Sequence, residues 1–167
     1  GSQNGTGTAA SFNMPYGVAV DGSGNLYVAD IFNHLIRKIT VEGVVTTFAG
    51  SGSAGSQNGT GTAASFNFPQ GVAVDGSGNV YIADYNNNLI RKITAAGAVT
   101  TFAGSGSAGS QNGTGTAASF NKPYAVAVDG SGNVYVISKY NHLIRKITAA
   151  GVVTTFAGSG SAGSQNG

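Results

Sequence analysis

Histidines and aspartates are the residues of this sequence whose types could support chemistry, and they recur at related positions. His34 and His142 carry imidazoles, and Asp30 and Asp84 each stand seven residues before an arginine. Imidazole nitrogens bind transition metals, and carboxylates bind hard cations such as calcium. No paired carboxylate stands at ligand spacing beside either histidine, so we expect no metal centre and no cofactor. The simpler interpretation is that each aspartate caps a loop or pairs with its arginine.

Three further aspartates, Asp21, Asp75 and Asp129, open the motif DGSGN. Asp, Asn and Gly tolerate the positive φ angles that tight hairpin turns require. The motif is similar to part of a calcium loop, but an EF-hand spreads its ligands over about 12 residues that end in glutamate. No such glutamate follows here. We therefore interpret these aspartates as turn residues.

A basic pair recurs at Arg37-Lys38, Arg91-Lys92 and Arg145-Lys146. In a strand, alternation sends one side chain of each pair to each face of the sheet. A ring of such pairs would suit RNA, but the formal net charge is only +2, so we expect no nucleic-acid partner. The sequence also has no glycine-rich phosphate loop before a helix and no Ser-His-Asp set, so we expect no catalysis.

These residues stand in a sequence that repeats three times with a period of 54 residues. The copies start at Gly1, Gly55 and Gly109, and a fourth copy begins at 163–167 and stops. Of the 54 positions, 41 are identical in all three copies, which indicates recent amplification or deliberate idealisation. Such a period predicts a solenoid, propeller or array. The units are 1–54, 55–108 and 109–162.

Each repeat carries four short segments of strand-like sequence. In the first copy they are 17–21, 26–30, 35–40 and 44–49, rich in β-branched and aromatic residues and bounded by turn residues. Three successive hairpins make an antiparallel meander, which cannot bury both faces alone. Four-stranded sheets that repeat radially and cover one another make an all-β propeller. The glycine-rich connector 50–69 is long, a feature of functional or mobile loops.

The string PYGVAVDGSGNLYVAD, followed by NHLIRKI, resembles the NHL repeat, named for Asn-His-Leu. The triplet stands at Asn33-His34-Leu35 and Asn141-His142-Leu143, whereas the second copy has Asn87-Asn88-Leu89. The resemblance covers every repeat and implies a β-propeller, usually of six blades. Propeller hydrolases hold a channel calcium with carboxylate and asparagine oxygens, so a metal-dependent hydrolase is one alternative function.

Three blades are half of such a ring. An open half-ring would expose one apolar face on the first blade and another on the third, and large patches of this kind mark interaction sites. Because the copies are nearly identical, the contact between blades 1 and 2 can recur between blade 3 of one chain and blade 1 of another. Head-to-tail contacts of this kind can close into a ring. We therefore expect a six-bladed homodimer, with a nine-bladed trimer as the alternative.

The 13 positions that differ between the copies are clustered. Eight lie before the first strand or around the loop between the second and third strands, and in a meander these connections share one end. We predict a face around the channel mouth whose aromatic side chains suit glycans, peptides or bases. The other interpretation is drift in tolerant loops. The candidate binding face consists of Met14, Tyr16, Asp30, Ile31, Phe32, His34, Phe68, Gln70, Asp84, Tyr85, Asn86, Asn88, Lys122, Tyr124, Ser138, Lys139, Tyr140 and His142.

Composition limits the remaining function classes. The 167 residues are 41% hydrophobic and only 8% charged, against roughly 25% charged in an average soluble domain. The chain has no cysteine, no evident signal peptide and no apolar run near the ~20 residues of a membrane span, so we expect no membrane partner. The leading interpretation is a non-catalytic, self-assembling propeller scaffold with a binding face. The runner-up is a natural-type ligand- or protein-binding module.

Overall fold

The computed structural model describes residues 1–164, and residues 165–167 of the fourth-copy stub lie outside the described part. Three antiparallel sheets, which we call blades 1, 2 and 3, each draw all their strands from one repeat. Blade 1 contains β1 (Gly5–Thr6), β2 (Pro15–Val20), β3 (Leu26–Asp30), β4 (Leu35–Ile39) and β5 (Val44–Ala49). Blade 2 contains β6 (Gly59–Thr60), β7 (Pro69–Val74), β8 (Val80–Asp84), β9 (Leu89–Ile93) and β10 (Ala98–Ala103). Blade 3 contains β11 (Gly113–Thr114), β12 (Pro123–Val128), β13 (Val134–Ser138), β14 (Leu143–Ile147) and β15 (Val152–Ala157).

Each sheet has five strands, whereas the sequence predicts four. The additional strand has two residues and comes from the connector, where Gly5 and Thr6 pair with Val45 and Val44 at the outer edge of blade 1. A short 3-10 turn, Gly7–Ala9, follows it. The connectors are thus ordered segments that cover an otherwise unpaired strand edge.

The hydrophobic cores lie between the blades. One core joins residues of blade 1, such as Ala29 and Ile36, to Phe66, Val80 and others of blade 2. The second core repeats this arrangement between blades 2 and 3. Each junction is closed by a connector phenylalanine, Phe66 or Phe120, and both are fully buried. A single repeat therefore has no core of its own and depends on its neighbours, as in other repeat proteins.

The DGSGN motifs form hairpin turns, which confirms their interpretation as turn residues. Asp21 Oδ1 accepts the N–H groups of Ser23 and Asn25, both at 2.9 Å, and Asp21 Oδ2 accepts the Asn25 side-chain amide. These bonds, that of the Asn25 side chain most of all, hold the pKa of Asp21 below its usual range. The same bonds recur at Asp75 and Asp129.

The inner strands β2, β7 and β12 lie side by side at the centre of the molecule. Their approach requires glycine, because a Cβ on Gly71 would lie 2.7 Å from the Cα of Ala125 and 2.9 Å from the carbonyl oxygen of Tyr124. Gly17 makes the equivalent approach to blade 2, whereas blade 3 has Ala125 at this position. Within residues 1–164, no helix has the length and hydropathy needed to cross a lipid bilayer.

Candidate functional site

The connection before each first long strand meets the loop between the next two strands at one end of the blade. In blade 1, Asn13 N–H donates to Asp30 Oδ1 at 2.7 Å, and Phe32 N–H donates to the carbonyl of Asn13 at 3.2 Å. The meander predicts this shared end. The variable segments of all three blades meet at this end of the molecule, which we call the mouth.

The aspartates at this end are not part of an exposed surface. Asp30 and Asp84 are fully buried, and each makes an ion pair of 3.1 Å with Arg37 or Arg91. Burial raises the pKa of Asp84 to about 6, and its hydrogen bonds act in the opposite direction. Their inclusion in the binding face was wrong for this reason, and the interpretation as arginine partners is confirmed. Ser138 of blade 3 is likewise fully buried.

The arginines of the basic pairs also lie inside the blades. Arg37, Arg91 and Arg145 are 0% exposed, so only the lysine of each basic pair reaches a surface. Each guanidinium lies over a connector phenylalanine, as Arg91 does over Phe66 at 5.4 Å from the ring centroid. The following lysine points to the other face, where the Lys38 ammonium lies 5.5 Å from the Tyr27 ring centroid. Strand alternation predicts this division but not which face is covered.

Adjacent blades are joined at the mouth by one repeated hydrogen bond. His34 Nδ1 accepts the N–H of Phe68 at 3.2 Å, and Asn88 Oδ1 accepts the N–H of Lys122 at 2.9 Å. Burial lowers the pKa of His34, which favours the neutral acceptor form. All four residues have φ between 52° and 55°, the left-handed region. Such backbone is uncommon outside glycine, and the sequence carried no signal for it at the aromatic and lysine positions.

Tyrosines from all three blades meet at the mouth. The Tyr16 and Tyr124 hydroxyls are hydrogen-bonded, and their rings are edge to face with centroids 5.5 Å apart. Tyr85 lies 6.4 Å from Tyr124 between ring centroids. The hydrogen bond to Tyr124 raises the pKa of Tyr16, and burial followed by a bond to Tyr140 raises that of Tyr85. The Tyr16 and Tyr85 phenols are therefore neutral donors and acceptors at physiological pH.

Two lysines of blade 3 complete this cluster. The Lys139 ammonium lies 4.6 Å from the Tyr124 ring centroid and 5.8 Å from that of Tyr140. The Lys122 ammonium lies 5.0 Å from the Tyr85 ring centroid and donates to Asn86 Oδ1 at 2.8 Å. Neither lysine has a carboxylate within 4.0 Å among residues 1–164. The mouth therefore carries positive charge on an aromatic surface.

The remaining predicted residues divide by exposure. Met14 and Phe32 are exposed at the mouth, and Phe68 contacts both Phe32 and His34 edge to face. Ile31 and Asn88 are buried, so they belong to the interior and not to the binding face. Gln70 is half-buried and His142 is exposed at the open side of blade 3. No group of three or more His, Cys, Asp or Glu within the described chain is placed to hold a metal ion.

The comparison with known families agrees with this architecture. A family model described as NHL repeat matches residues 12–39 and 66–93. Residues 12–39 of blade 1 and 66–93 of blade 2 are thus NHL repeats. The third copy, with Ala125, Ile137 and Ser138 where the first two have Gly, Ala and Asp, lies outside the matched residues. The match to the NHL model is thus confined to the first two blades.

Curated relatives share the NHL region over part of their length. The chain is 37% identical over 94 residues to "Protein SUPPRESSOR OF QUENCHING 1, chloroplastic" of Arabidopsis thaliana, and these residues are 56% of the chain and 9% of that protein. It is 40% identical over 95 residues to "NHL repeat-containing protein 2" of Gallus gallus, and these residues are 56% of the chain and 13% of that protein. The chain thus spans about a tenth of these relatives.

Solved structures of the β-propeller type share the fold. A protein of unknown function from Bacteroides thetaiotaomicron is 30% identical with a TM-score of 0.68, over 83% of this chain and 34% of that one. An auxiliary nutrient binding protein from the same organism is 23% identical with a TM-score of 0.71, over 83% of this chain and 36% of that one. This chain therefore corresponds to about a third of a propeller chain of this type.

Proposed function

We propose that the chain is a non-catalytic NHL propeller scaffold whose three blades close head to tail with a second copy into a six-bladed ring. The observation that carries this proposal is the hydrogen bond that joins blades 1 to 2 and 2 to 3. At the open ends, His142 of blade 3 and Met14 of blade 1 hold the same left-handed conformation, with φ of 53° and 58°. Both are exposed, so a partner copy's Met14 N–H can bond to His142.

The apolar end faces support the same assembly. Val18 of blade 1 is 59% exposed, whereas its counterpart Val72, which faces blade 1, is 8% exposed. On blade 3, Phe156 is 60% exposed and Ile137 is 42% exposed, although Ala83 at the equivalent position is fully buried. Each end therefore presents one half of an inter-blade core. A second copy supplies the complementary half at both ends, and a head-to-tail contact with the correct rotation closes.

The absence of catalysis is proposed from the state of the carboxylates. Asp30 and Asp84 are used in buried ion pairs, and Asp21, Asp75 and Asp129 are used in turns. A metal-dependent hydrolase would need some of these oxygens at the channel. We therefore rank a metal-dependent hydrolase below the non-catalytic scaffold as the function of this chain.

Sedimentation velocity of the chain and two variants tests the ring. Val18→Asp places a charge in the proposed seam, whereas Val41→Asp changes a side chain that is 65% exposed in a turn and serves as the matched control. We expect a two-chain species for the unaltered chain and Val41→Asp, and a single chain for Val18→Asp. A single chain for all three would overturn the proposal.

A second candidate function is the binding of an anionic ligand at the mouth. The tyrosine cluster with Lys122 and Lys139 favours it, because aromatic rings and ammonium groups that have no carboxylate partner among residues 1–164 together suit an acidic glycan. The chain has no tryptophan, and four of its seven tyrosines lie at the mouth, so tyrosine emission responds to changes there. We expect a galacturonate oligomer to change this emission and a neutral galactose oligomer to leave it unchanged. Lys139→Gln should reduce the response, Lys38→Gln should not, and equal responses to both sugars would exclude this function.

A further inference from the structure

Each blade encloses one arginine, and blade 2 shows its full set of partners. Arg91 Nη1 donates to Asp84 Oδ2 and to the Ser65 carbonyl, both at 3.1 Å. Arg91 Nη2 donates to the carbonyl of Gln57 at 3.1 Å and to Asn58 Oδ1 at 2.8 Å. The carboxylate balances the buried charge. Blade 1 repeats the arrangement around Arg37.

Blade 3 keeps the arginine and lacks the carboxylate. Arg145 is 0% exposed and donates to the Ser119 carbonyl at 2.9 Å, to the Gln111 carbonyl at 3.0 Å and to Asn112 Oδ1 at 2.9 Å. Ser138 stands where Asp84 stands in blade 2, and no carboxylate lies within 4.0 Å of Arg145 among residues 1–164. Burial lowers the pKa of Arg145, yet a guanidinium stays protonated in proteins. Its charge is therefore buried without compensation.

The neighbouring asparagine has also changed its bonds. In blade 2, the Asn87 amide donates to Asp84 Oδ2 at 2.8 Å and to the Gly55 carbonyl at 2.7 Å. In blade 3, Asn141 Oδ1 instead accepts the Ser138 hydroxyl at 2.6 Å. A side-chain amide carries two N–H donors. Within the described chain, the N–H groups of Asn141 make neither of the bonds that Asn87 makes, one to a carboxylate and one to a glycine carbonyl. Arg145 Nη1 thus borders the position that a carboxylate takes in the other blades, whereas Asn141 turns its side-chain oxygen, not its amide nitrogen, toward Ser138 there.

We propose that blade 3 binds a small monovalent anion at Arg145, in the position that the aspartate carboxylate takes in blades 1 and 2. Serine has two heavy atoms fewer than aspartate, so an anion of the size of chloride or formate replaces the lost group. Arg145 Nη1 donates to it, and the Asn141 side chain rotates on binding so that its amide nitrogen donates as that of Asn87 does in blade 2. A buried charge that has lost its partner is strongly destabilising, and the anion restores the pair.

Thermal unfolding in different sodium salts at constant ionic strength and protein concentration tests this proposal. Chloride and formate are the probes, and gluconate is a control anion too large for the position. For the unaltered chain, we expect the Tm to rise by about 3–5 °C for each tenfold increase in chloride or formate above its dissociation constant. Ser138→Asp should have a higher Tm in gluconate and no such dependence, because the chain then supplies its own carboxylate.

Blade 2 provides the matched control. Asp84→Ser should create a second site of the same kind and about double the dependence on the anion. Equal dependence in the unaltered chain and Ser138→Asp would overturn the proposal. If Ser138→Asp does not fold, crystals soaked in sodium bromide decide the matter by anomalous diffraction. A bromide peak beside Arg145 and none beside Arg91 supports the site, and the absence of a peak beside Arg145 overturns it.

Discussion

Blade 2 and blade 3 have nearly the same sequence but different surroundings and different interiors. Blade 2 has neighbours on both faces, so Ala83 and Ile90 are fully buried. Blade 3 has one open face, where Ile137 and Phe156 are exposed. The interiors differ because Asp84 is replaced by Ser138. The comparison shows that burial in this fold is a property of a junction between blades, whereas charge balance is a property of each blade.

The largest effect is expected from removing the carboxylate of blade 2. Asp84→Ala leaves Arg91 buried without its ion-pair partner and should lower the free energy of unfolding by about 3–5 kcal/mol. Ser138→Ala in blade 3 removes only a hydroxyl and should lower it by about 1 kcal/mol. Urea denaturation at fixed protein concentration measures both. Equal losses would show that the ion pair does not distinguish the two blades.

A smaller effect is expected from crowding the inner strands. Gly71→Ala places a Cβ 2.7 Å from the Cα of Ala125 and should lower the free energy of unfolding by about 1–3 kcal/mol. Gly76→Ala is the control, because a Cβ there meets nothing within 4 Å. The same denaturation experiment applies. A Gly71→Ala chain as stable as the control would contradict the close approach of β7 and β12.

The reverse change tests the open side of blade 3. Ala125 stands where Gly17 and Gly71 allow contact between blades, so the proposed seam between two copies is wider than the internal junctions. Ala125→Gly should therefore tighten the association of two copies by about tenfold. The dissociation constant from sedimentation equilibrium reports this change. Weaker or unaltered association would mean that the seam does not copy the internal geometry.

The smallest expected effect concerns His34 and pH. Its pKa is lowered in the folded chain, so the unfolded chain binds the proton first as the pH falls below about 6.5. Stability should therefore be lost as the pH falls from about 6.5 through the lowered native pKa. His34→Asn, which copies Asn88, should lack this contribution. Asp84, with a pKa of about 6, titrates in the same pH range. The difference in stability between the two chains therefore isolates the contribution of His34. Parallel pH profiles of stability would refute that contribution.

The sequence alone predicts the four long strands and the turns of each repeat. Their β-branched segments and DGSGN motifs are local signals, and the spacing from Asp84 to Arg91 indicates an ion pair. The fifth strand was missed because Gly5 and Thr6 are two residues with no hydrophobic pattern. Burial of the arginines was missed because alternation does not say which face a connector covers.

The candidate site could be predicted in part. The variable loops share one end, and Tyr16, Tyr124 and Lys139 meet there. Other variable positions lie in the interior, such as Ala29 in the core between blades 1 and 2. Variation between copies does not distinguish a ligand contact from a packing contact. The sequence shows the replacement of Asp by Ser138 without a change at Arg145, and this is its one signal for the proposed anion site.

The six-bladed ring requires that the three blades close with a second copy of the chain. Native mass spectrometry over a range of protein concentrations tests it most directly. We expect a species of twice the 16.5 kDa chain mass that persists at low micromolar concentration. A monomer at every concentration, or a species of three times the chain mass, would contradict the six-bladed ring.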